Sequence, residues 1–196
     1  MHQQFTIDKK QEEKMGLTDQ EKTTLLEIAK RAIVAKAGNR EIPKLTMDLP
    51  ILKEKRGAFV TLKKRGHLRG CIGYIKAVKP LGETVQEMAV AAAFHDPRFP
   101  SVKSDEIRDL SFEISVLSPL QKIKNIDEIE VGKHGIYIVR GYNSGLLLPQ
   151  VATEYGWDRD DFLKETCYKA GLPPRAWKDK ETEIYIFSAD YFGDKD

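Results

Sequence analysis

Cysteine is scarce in this chain of 196 residues, which contains only Cys71 and Cys167. Two cysteines allow a single bridge, and no other feature indicates export, so we expect reduced thiols and a cytoplasmic location. A surplus of one charge is also lacking, because 32 basic residues against 30 acidic residues leave a net charge of +2. A protein devoted to nucleic acid or to a membrane surface would carry a larger imbalance.

Long apolar runs are missing as well. The longest, such as residues 88–94, are too short to cross a bilayer, and residues 1–14 contain no signal-peptide core. We therefore predict no membrane association. The chain does have 41% hydrophobic residues, which is enough for a packed core and excludes chain-wide disorder. Its length predicts a solvated leader over residues 1–17 and then one domain over 18–193, which two sub-lobes could share.

The first half of the chain reads as a helix, a hairpin and another helix. Thr18 begins the capping-box pattern of an amphipathic helix that ends at Gly38. Apolar runs at 58–62 and 68–75, joined by Lys-Lys-Arg-Gly, predict an antiparallel hairpin. Pro80 opens the next helix.

The second half is richer in strands. Alternating residues over 110–116 predict a half-buried strand, and the runs 135–139 and 145–148 predict a second hairpin. Two short helices and a final strand over 182–189 follow. This order lacks a regular strand-helix-strand repeat, so we predict an α+β fold with largely antiparallel sheets and flanking helices.

The segment Leu-Arg-Gly-Cys-Ile-Gly-Tyr at 68–74 is the first with candidate chemistry. Strand alternation would place Arg69 and Cys71 on one face with Gly73, and Gly70 on the core face. Two glycines in so short a strand are costly unless something approaches the backbone closely. Gly70 and Gly73 are therefore candidate ligand-binding residues.

Cys71 is the candidate nucleophile of this segment. A neighbouring cation such as Arg69 favours the thiolate over the thiol, and the thiolate is the form that attacks a substrate. Arg69 is also a candidate ligand-binding residue. The alternative interpretation makes Cys71 a small buried hydrophobe and Arg69 a surface charge.

The segment Phe-His-Asp-Pro-Arg-Phe-Pro at 94–100 follows the helix that begins at Pro80. His95 is a candidate general acid or base, and Asp96 and Arg98 could orient it or bind an anion. The alternative is an ordinary helix end. There the histidine would interact favourably with the C-terminal end of the helix dipole, and the arginine would form a surface ion pair.

Two candidates lie further along the chain. His134 stands between glycines in Gly-Lys-His-Gly, where it is a candidate catalytic residue or part of a polar tight turn. Gln150 follows a proline at the start of a short helix and is a candidate ligand-binding residue. Cys167 lies on the apolar face of a helix and is expected in the core.

No metal and no cofactor are predicted. Neither a metal-ligand spacing nor a phosphate loop nor a dinucleotide fingerprint occurs in the chain. The charge is uneven, because residues 53–79 carry nine basic residues and one acidic residue and so sum to +8. Such a basic hairpin suits a small anionic ligand or RNA, unless its lysines only protect a sheet edge.

Several segments together resemble one family. The hexapeptide Leu-Arg-Gly-Cys-Ile-Gly at 68–73 is similar to the LRGCIG signature of the AMMECR domain family. Five further segments of the chain resemble other blocks of that family, in the same order. They are residues 92–100, 115–119, 131–135, 145–152 and 156–158. The resemblance covers about residues 18–192, so the leader lies outside it, and His67 lies outside the signature hexapeptide.

The resemblance implies an α+β fold of two unequal lobes, with both chain ends in the larger lobe and the signature at a cleft between them. It also implies a functional association with radical-SAM and Memo-type proteins. It implies no established reaction.

The leading functional hypothesis is a cytosolic enzyme. Cys71 would be the nucleophile, His95 or His134 the acid or base, and Arg98 the anion holder for a small anionic or nucleotide-related substrate. One alternative is a non-catalytic binding module for RNA or an anionic ligand. Another is a protein-interaction adaptor in which the signature glycines serve only close packing.

Overall fold

The chain divides into two compact units in this computed structural model, which describes residues 16–194. The first unit comprises the described residues 16–116 and 190–194, and the second is Leu117–Ala189. Helices and two four-stranded sheets confirm the predicted α+β class. The cleft between lobes that the resemblance implies stays a prediction. No helix within residues 16–194 has the length and apolarity that a membrane crossing needs.

Five helices and eight strands make up the described chain. The helices are α1 (Asp19–Ala37), α2 (Pro50–Lys53), α3 (Leu81–Phe94), α4 (Pro149–Tyr155) and α5 (Arg159–Lys169). The strands are β1 (Ala58–Lys64), β2 (His67–Tyr74), β3 (Leu110–Leu117), β4 (Gln121–Lys122), β5 (Gly135–Arg140), β6 (Asn143–Leu147), β7 (Glu183–Phe187) and β8 (Ala189–Gly193). Short 3₁₀ turns are Ser104–Asp109, Ile126–Glu128 and Ala176–Lys178.

The first unit packs helix α3 against a sheet with strand order β2-β1-β3-β8, and helix α1 packs on α3. The predicted capping box is present, since the Thr18 hydroxyl accepts from the N–H of Glu21 and the Glu21 carboxylate accepts from the N–H of Thr18. Each bond satisfies a backbone group that a helix start leaves unpaired. Apolar side chains from both helices and from β1 and β3 then form one continuous core.

The β1–β2 hairpin closes through the two residues Arg65 and Gly66. Both have positive φ angles, 52° and 77°, which is the geometry that a two-residue hairpin turn requires. β1 extends two residues and β2 one residue further toward the turn than the sequence predicts, and β2 ends one residue earlier, at Tyr74. A β-bulge lies between Leu62 and Lys63, because Leu62 pairs with Gly70 whereas Lys63 pairs with Leu68. One residue of β2, Arg69, is therefore left without a partner in the register.

The second unit packs α5 against a sheet with strand order β4-β7-β5-β6. The predicted hairpin is β5 and β6, and the Asp158 side chain caps α5 by accepting from the N–H of Asp161 at 2.9 Å. Aliphatic residues of β5 and β7 meet Phe162 and Leu163 of α5 in a separate core.

Three details differ from the sequence-based expectation. The predicted strand over 182–189 divides at Ser188 into β7 and β8, which belong to different sheets. The segment 39–56, expected to be irregular, contains α2. Leu17, assigned to the leader, is 9% exposed, and its N–H donates to Asp190 Oδ2 at 2.7 Å. The rest of the predicted leader, residues 1–15, lies outside the described residues.

Candidate functional site

Cys71 lies on β2, the edge strand of the first sheet, directly opposite Thr61 of β1. The Thr61 hydroxyl oxygen lies 3.1 Å from Cys71 Sγ and donates a hydrogen bond to it. The Cys71 side chain is half-buried and belongs to the sheet face opposite α3, because its neighbour Gly70 contacts that helix. The sulfur is thus held by a named donor on a partly open surface.

The loop after α3 holds the backbone of Cys71 from the open side of the edge strand. The Cys71 N–H donates to Asp96 Oδ2 at 2.9 Å, and Arg98 Nη2 donates to the Cys71 carbonyl at 3.2 Å. These groups point away from β1, so Cys71 and Thr61 form a non-hydrogen-bonded pair, in which side chains approach most closely. That geometry accounts for the hydroxyl–sulfur contact.

Asp96 is the centre of this loop. Its carboxylate, 4% exposed, accepts hydrogen bonds from the Cys71 N–H and from the N–H, Nε and Nη2 of Arg98 at 2.7–3.1 Å. The Arg98 guanidinium, and secondarily the two backbone N–H groups, hold the pKa of Asp96 well below its usual range despite its burial. We name this arrangement of Asp96 and Arg98 on Cys71 the edge clamp.

Arg69 does not share the face of Cys71, and that prediction is wrong. The β-bulge interrupts the alternation at Arg69, whose guanidinium donates to Glu106 at 3.1 and 3.2 Å. Glu106 also accepts from Lys64 at 2.9 Å, and the two cations lower its pKa to about 2. The Arg69 charge is therefore committed to a carboxylate rather than to the thiol.

The two glycines of the signature are explained by packing. A Cβ on Gly70 would lie 2.1 Å from the carbonyl oxygen of Ala92 in α3. A Cβ on Gly73 would lie 2.3 Å from the Phe59 ring. The sequence predicts a close approach to the backbone at both glycines, and the structure shows one at each. The approaching groups are the Ala92 carbonyl and the Phe59 ring, both of which belong to the first unit.

The remaining candidates are dispersed. His95 is exposed at the C-terminal end of α3, next to Asp96. His134 belongs to the second unit, where its Nδ1 accepts from the backbone N–H of Glu130 at 3.1 Å. Gln150 lies in the first turn of α4, also in the second unit, and is half-buried. Their roles stay predictions.

Cys167 is fully buried in the core of the second unit, as its helical position predicts. Burial raises the pKa of its thiol, because a low-dielectric environment disfavours the thiolate. The two cysteines thus differ sharply in access to solvent.

The basic segment 53–79 is less positive in the folded chain than its sequence indicates. Five of its nine cations form ion pairs with glutamates, namely Arg56, Lys63, Lys64, Arg69 and Lys79. Three of the four partners, at positions 87, 106 and 113, come from outside the segment. One exposed cation remains at the hairpin turn, where Arg65 faces solvent beside the exposed His67.

Sequence reasoning missed Thr61 and Glu106. Thr61 could be found only from the hairpin register, which the bulge shifts by one residue, and Glu106 lies 37 positions beyond Arg69. No three His, Cys, Asp or Glu side chains within residues 16–194 converge where a metal ion could bind.

Comparison with known proteins places these residues in a family. The AMMECR1 family model matches residues 26–192. A protein from Methanothermobacter thermautotrophicus is 46% identical over 183 residues, covering 90% of this chain and 95% of its own length. A protein from Methanopyrus kandleri is 43% identical over 189 residues, covering 92% and 91%. The chain belongs to the AMMECR1 family.

A solved structure supports the fold. The crystal structure of an uncharacterized protein from Pyrococcus horikoshii matches with a TM-score of 0.84 and 42% sequence identity. The match covers 88% of this chain and 90% of that one. None of these relatives is described with an activity, so the chemistry has to be argued from the site itself.

Proposed function

We propose that this chain is a cytosolic enzyme whose nucleophile is Cys71. The observation that carries the proposal is the Thr61 hydroxyl, which lies 3.1 Å from Sγ on a partly open sheet face. A hydrogen bond to the sulfur stabilises the thiolate more than the thiol. A structural cysteine that served only as a small hydrophobe would pack in the core, as Cys167 does.

The edge clamp supports the same role by fixing the backbone that carries the nucleophile. Both polar backbone groups of Cys71 are held, one by Asp96 and one by Arg98. The position of Sγ is then set by its side-chain torsion alone. Such rigidity lowers the cost of holding the sulfur in a reactive geometry.

The proposed step is nucleophilic attack on an electrophilic carbon. The thiolate electron pair forms an S–C bond, and the leaving group departs with its bonding pair and takes up a proton. When that carbon is an acyl carbon the adduct is a thioester, and water hydrolyses it, releasing the carboxylic acid and restoring the thiol. Arg98, whose side chain is 50% exposed, is the proposed contact for an anionic substrate through Nη1, since its Nε and Nη2 already bind Asp96 and the Cys71 carbonyl.

His95 is the proposed proton acceptor for the thiol, because it precedes Asp96 on the loop that contacts Cys71. We expect His95→Gln to slow Cys71 alkylation at pH 7. An unchanged rate would remove His95 from the proposal and leave the sulfur and Thr61 in place.

Site-resolved alkylation tests the nucleophile. The native chain is treated with iodoacetamide at pH 7, and labelling of Cys71 and Cys167 is followed by mass spectrometry, with glutathione as the free-thiol reference. We expect Cys71 to react faster than glutathione and Cys167 to react far more slowly than both. Cys71 reacting no faster than glutathione would contradict the proposal.

A second candidate is a non-catalytic module that binds an anionic ligand such as RNA. The observation in its favour is Arg65 at the hairpin turn, which is exposed beside His67 and forms no ion pair with any described residue. Binding that weakens steeply with salt and is lost in Arg65→Ala would support it. Association with radical-SAM and Memo-type proteins stays a prediction.

A further inference from the structure

The second unit contains a cavity of about 280 Å³. It lies between the stretch that follows β4 and the 3₁₀ turn Ala176–Lys178 with its continuation into β7. Four lysines line it: Lys122, Lys124, Lys178 and Lys180. The cavity belongs wholly to the second unit and contains none of the residues of the Cys71 site.

The acidic residues of the cavity are already neutralised. Glu183 pairs with Lys122, and Asp179 Oδ2 pairs with Arg140 Nη1 at 2.6 Å. Lys124, Lys178 and Lys180 form no ion pair with any residue of the described chain. Three cations without an ion-pair partner therefore border one small concave space, and the nearby Glu128 carboxylate accepts from the backbone N–H of Lys124 rather than from any of the three ammonium groups.

The three lysines are exposed, and the concave wall lets their charges act on the same small volume. Like charges around a concave wall repel one another, and the low-dielectric wall focuses their field into the cavity. The charges lie on two different chain segments, so the fold brings them together rather than the local sequence. A solvated lysine-rich surface would need no concavity.

The cavity wall also has an aromatic component. Trp177 lines the cavity, packs by part of its side chain on the core of the second unit, and has Lys178 Nζ 4.7 Å from its ring centroid. A half-buried indole offers a flat apolar surface next to the charges. Its fluorescence is a natural reporter of anything that enters.

We propose that this cavity is a binding site for a small ligand with at least two adjacent phosphate groups. Lysine ammonium groups bind phosphate as point charges, and three of them exceed the charge of a single phosphate monoester. The volume lies at the small end of the range for ligand pockets, which suits a diphosphate rather than a large cofactor. The proposal is independent of the chemistry of Cys71.

Fluorescence titration of Trp157→Phe tests the proposal, because this substitution leaves Trp177 as the remaining tryptophan of the two in the chain. Pyrophosphate, ADP and sulfate are added at constant ionic strength. We expect a saturable signal with pyrophosphate and none with sulfate over the same range. ADP binding tighter than pyrophosphate would identify a nucleoside diphosphate as the source, and equal binding would identify the diphosphate alone.

Paired charge removals supply the control. We expect Lys124→Ala with Lys180→Ala to weaken pyrophosphate binding roughly tenfold or more, since two point charges are lost. Lys133→Ala with Lys169→Ala removes two exposed charges of the same unit that do not line the cavity, and it should change binding less than about twofold.

Calorimetric titration of the unsubstituted chain guards against a folding defect in Trp157→Phe. Absence of saturable pyrophosphate binding in both measurements would overturn the proposal. Equal weakening by the two double variants would also overturn it, because binding would then follow net charge rather than the cavity.

Discussion

The buried carboxylate of Asp96 accepts a hydrogen bond from the backbone N–H of Cys71 at 2.9 Å. This contact closes the free edge of β2 at the residue that we propose as the nucleophile. Asp96 also accepts from Arg98, and Arg98 in turn donates to the Cys71 carbonyl. One short loop therefore binds both the N–H and the C=O of Cys71. An edge strand without such cover exposes its N–H and C=O groups to other chains.

Loss of the Asp96 charge should destabilise the first unit. Asp96→Asn keeps the shape of the side chain but replaces a buried ion pair, and we expect a loss of roughly 2–3 kcal/mol in the free energy of unfolding. Urea unfolding measures this, and amide exchange at Cys71 should accelerate in parallel. The control Asp105→Asn alters an exposed carboxylate of the same unit and should change stability by less than about 0.5 kcal/mol.

Glu106 should contribute to acid sensitivity. Arg69 and Lys64 lower its pKa in the folded chain to about 2, so its stabilisation is fully present above the unfolded pKa, about 4.5. The stabilisation is lost as the pH falls toward the folded value. We therefore expect wild type to be more stable than Glu106→Gln at pH 6 and the difference to shrink between about pH 4.5 and 2. A difference that is constant over this range would show that Glu106 does not titrate as described.

Gly70 should tolerate no side chain. Gly70→Ala would place a Cβ 2.1 Å from the Ala92 carbonyl oxygen, and backbone atoms cannot rotate out of the way as side chains do. We expect a loss of about 1–3 kcal/mol, measured by thermal or urea unfolding. Gly16→Ala is the matched control, because nothing lies within 4 Å of its Cβ position. Equal stability of the two variants would contradict the packing explanation.

Local signals in the sequence predicted much of the fold. The capping box at Thr18, the periodicity of α3 and the two hairpins are properties of short segments, and the structure confirms them. The division of the last strand at Ser188 was not predictable, because the residues on both sides have the same strand character. Only the partners in two different sheets separate β7 from β8.

The sequence indicated Cys71, Asp96 and Arg98, which the structure brings into contact, but Thr61 and the pairings were not predictable from it. Counting from the two-residue turn places Thr61 opposite Gly70, and the bulge at Arg69 moves it opposite Cys71. The same bulge sends Arg69 to Glu106. A single inserted residue thus directs Arg69 away from the thiol and brings the Thr61 hydroxyl to it, and no propensity in the sequence marks the position of the bulge.

The pH dependence of Cys71 alkylation, measured in a Cys167→Ala background, tests the central claim most directly. If the Thr61 hydroxyl stabilises the thiolate, the midpoint of the profile should move to higher pH in Thr61→Val and stay near the wild-type value in Thr61→Ser. Arg69→Ala should leave the midpoint unchanged, because the Arg69 charge is paired with Glu106. Coincident profiles for wild type and Thr61→Val would contradict the account, as would a midpoint that moves with Arg69 rather than with Thr61.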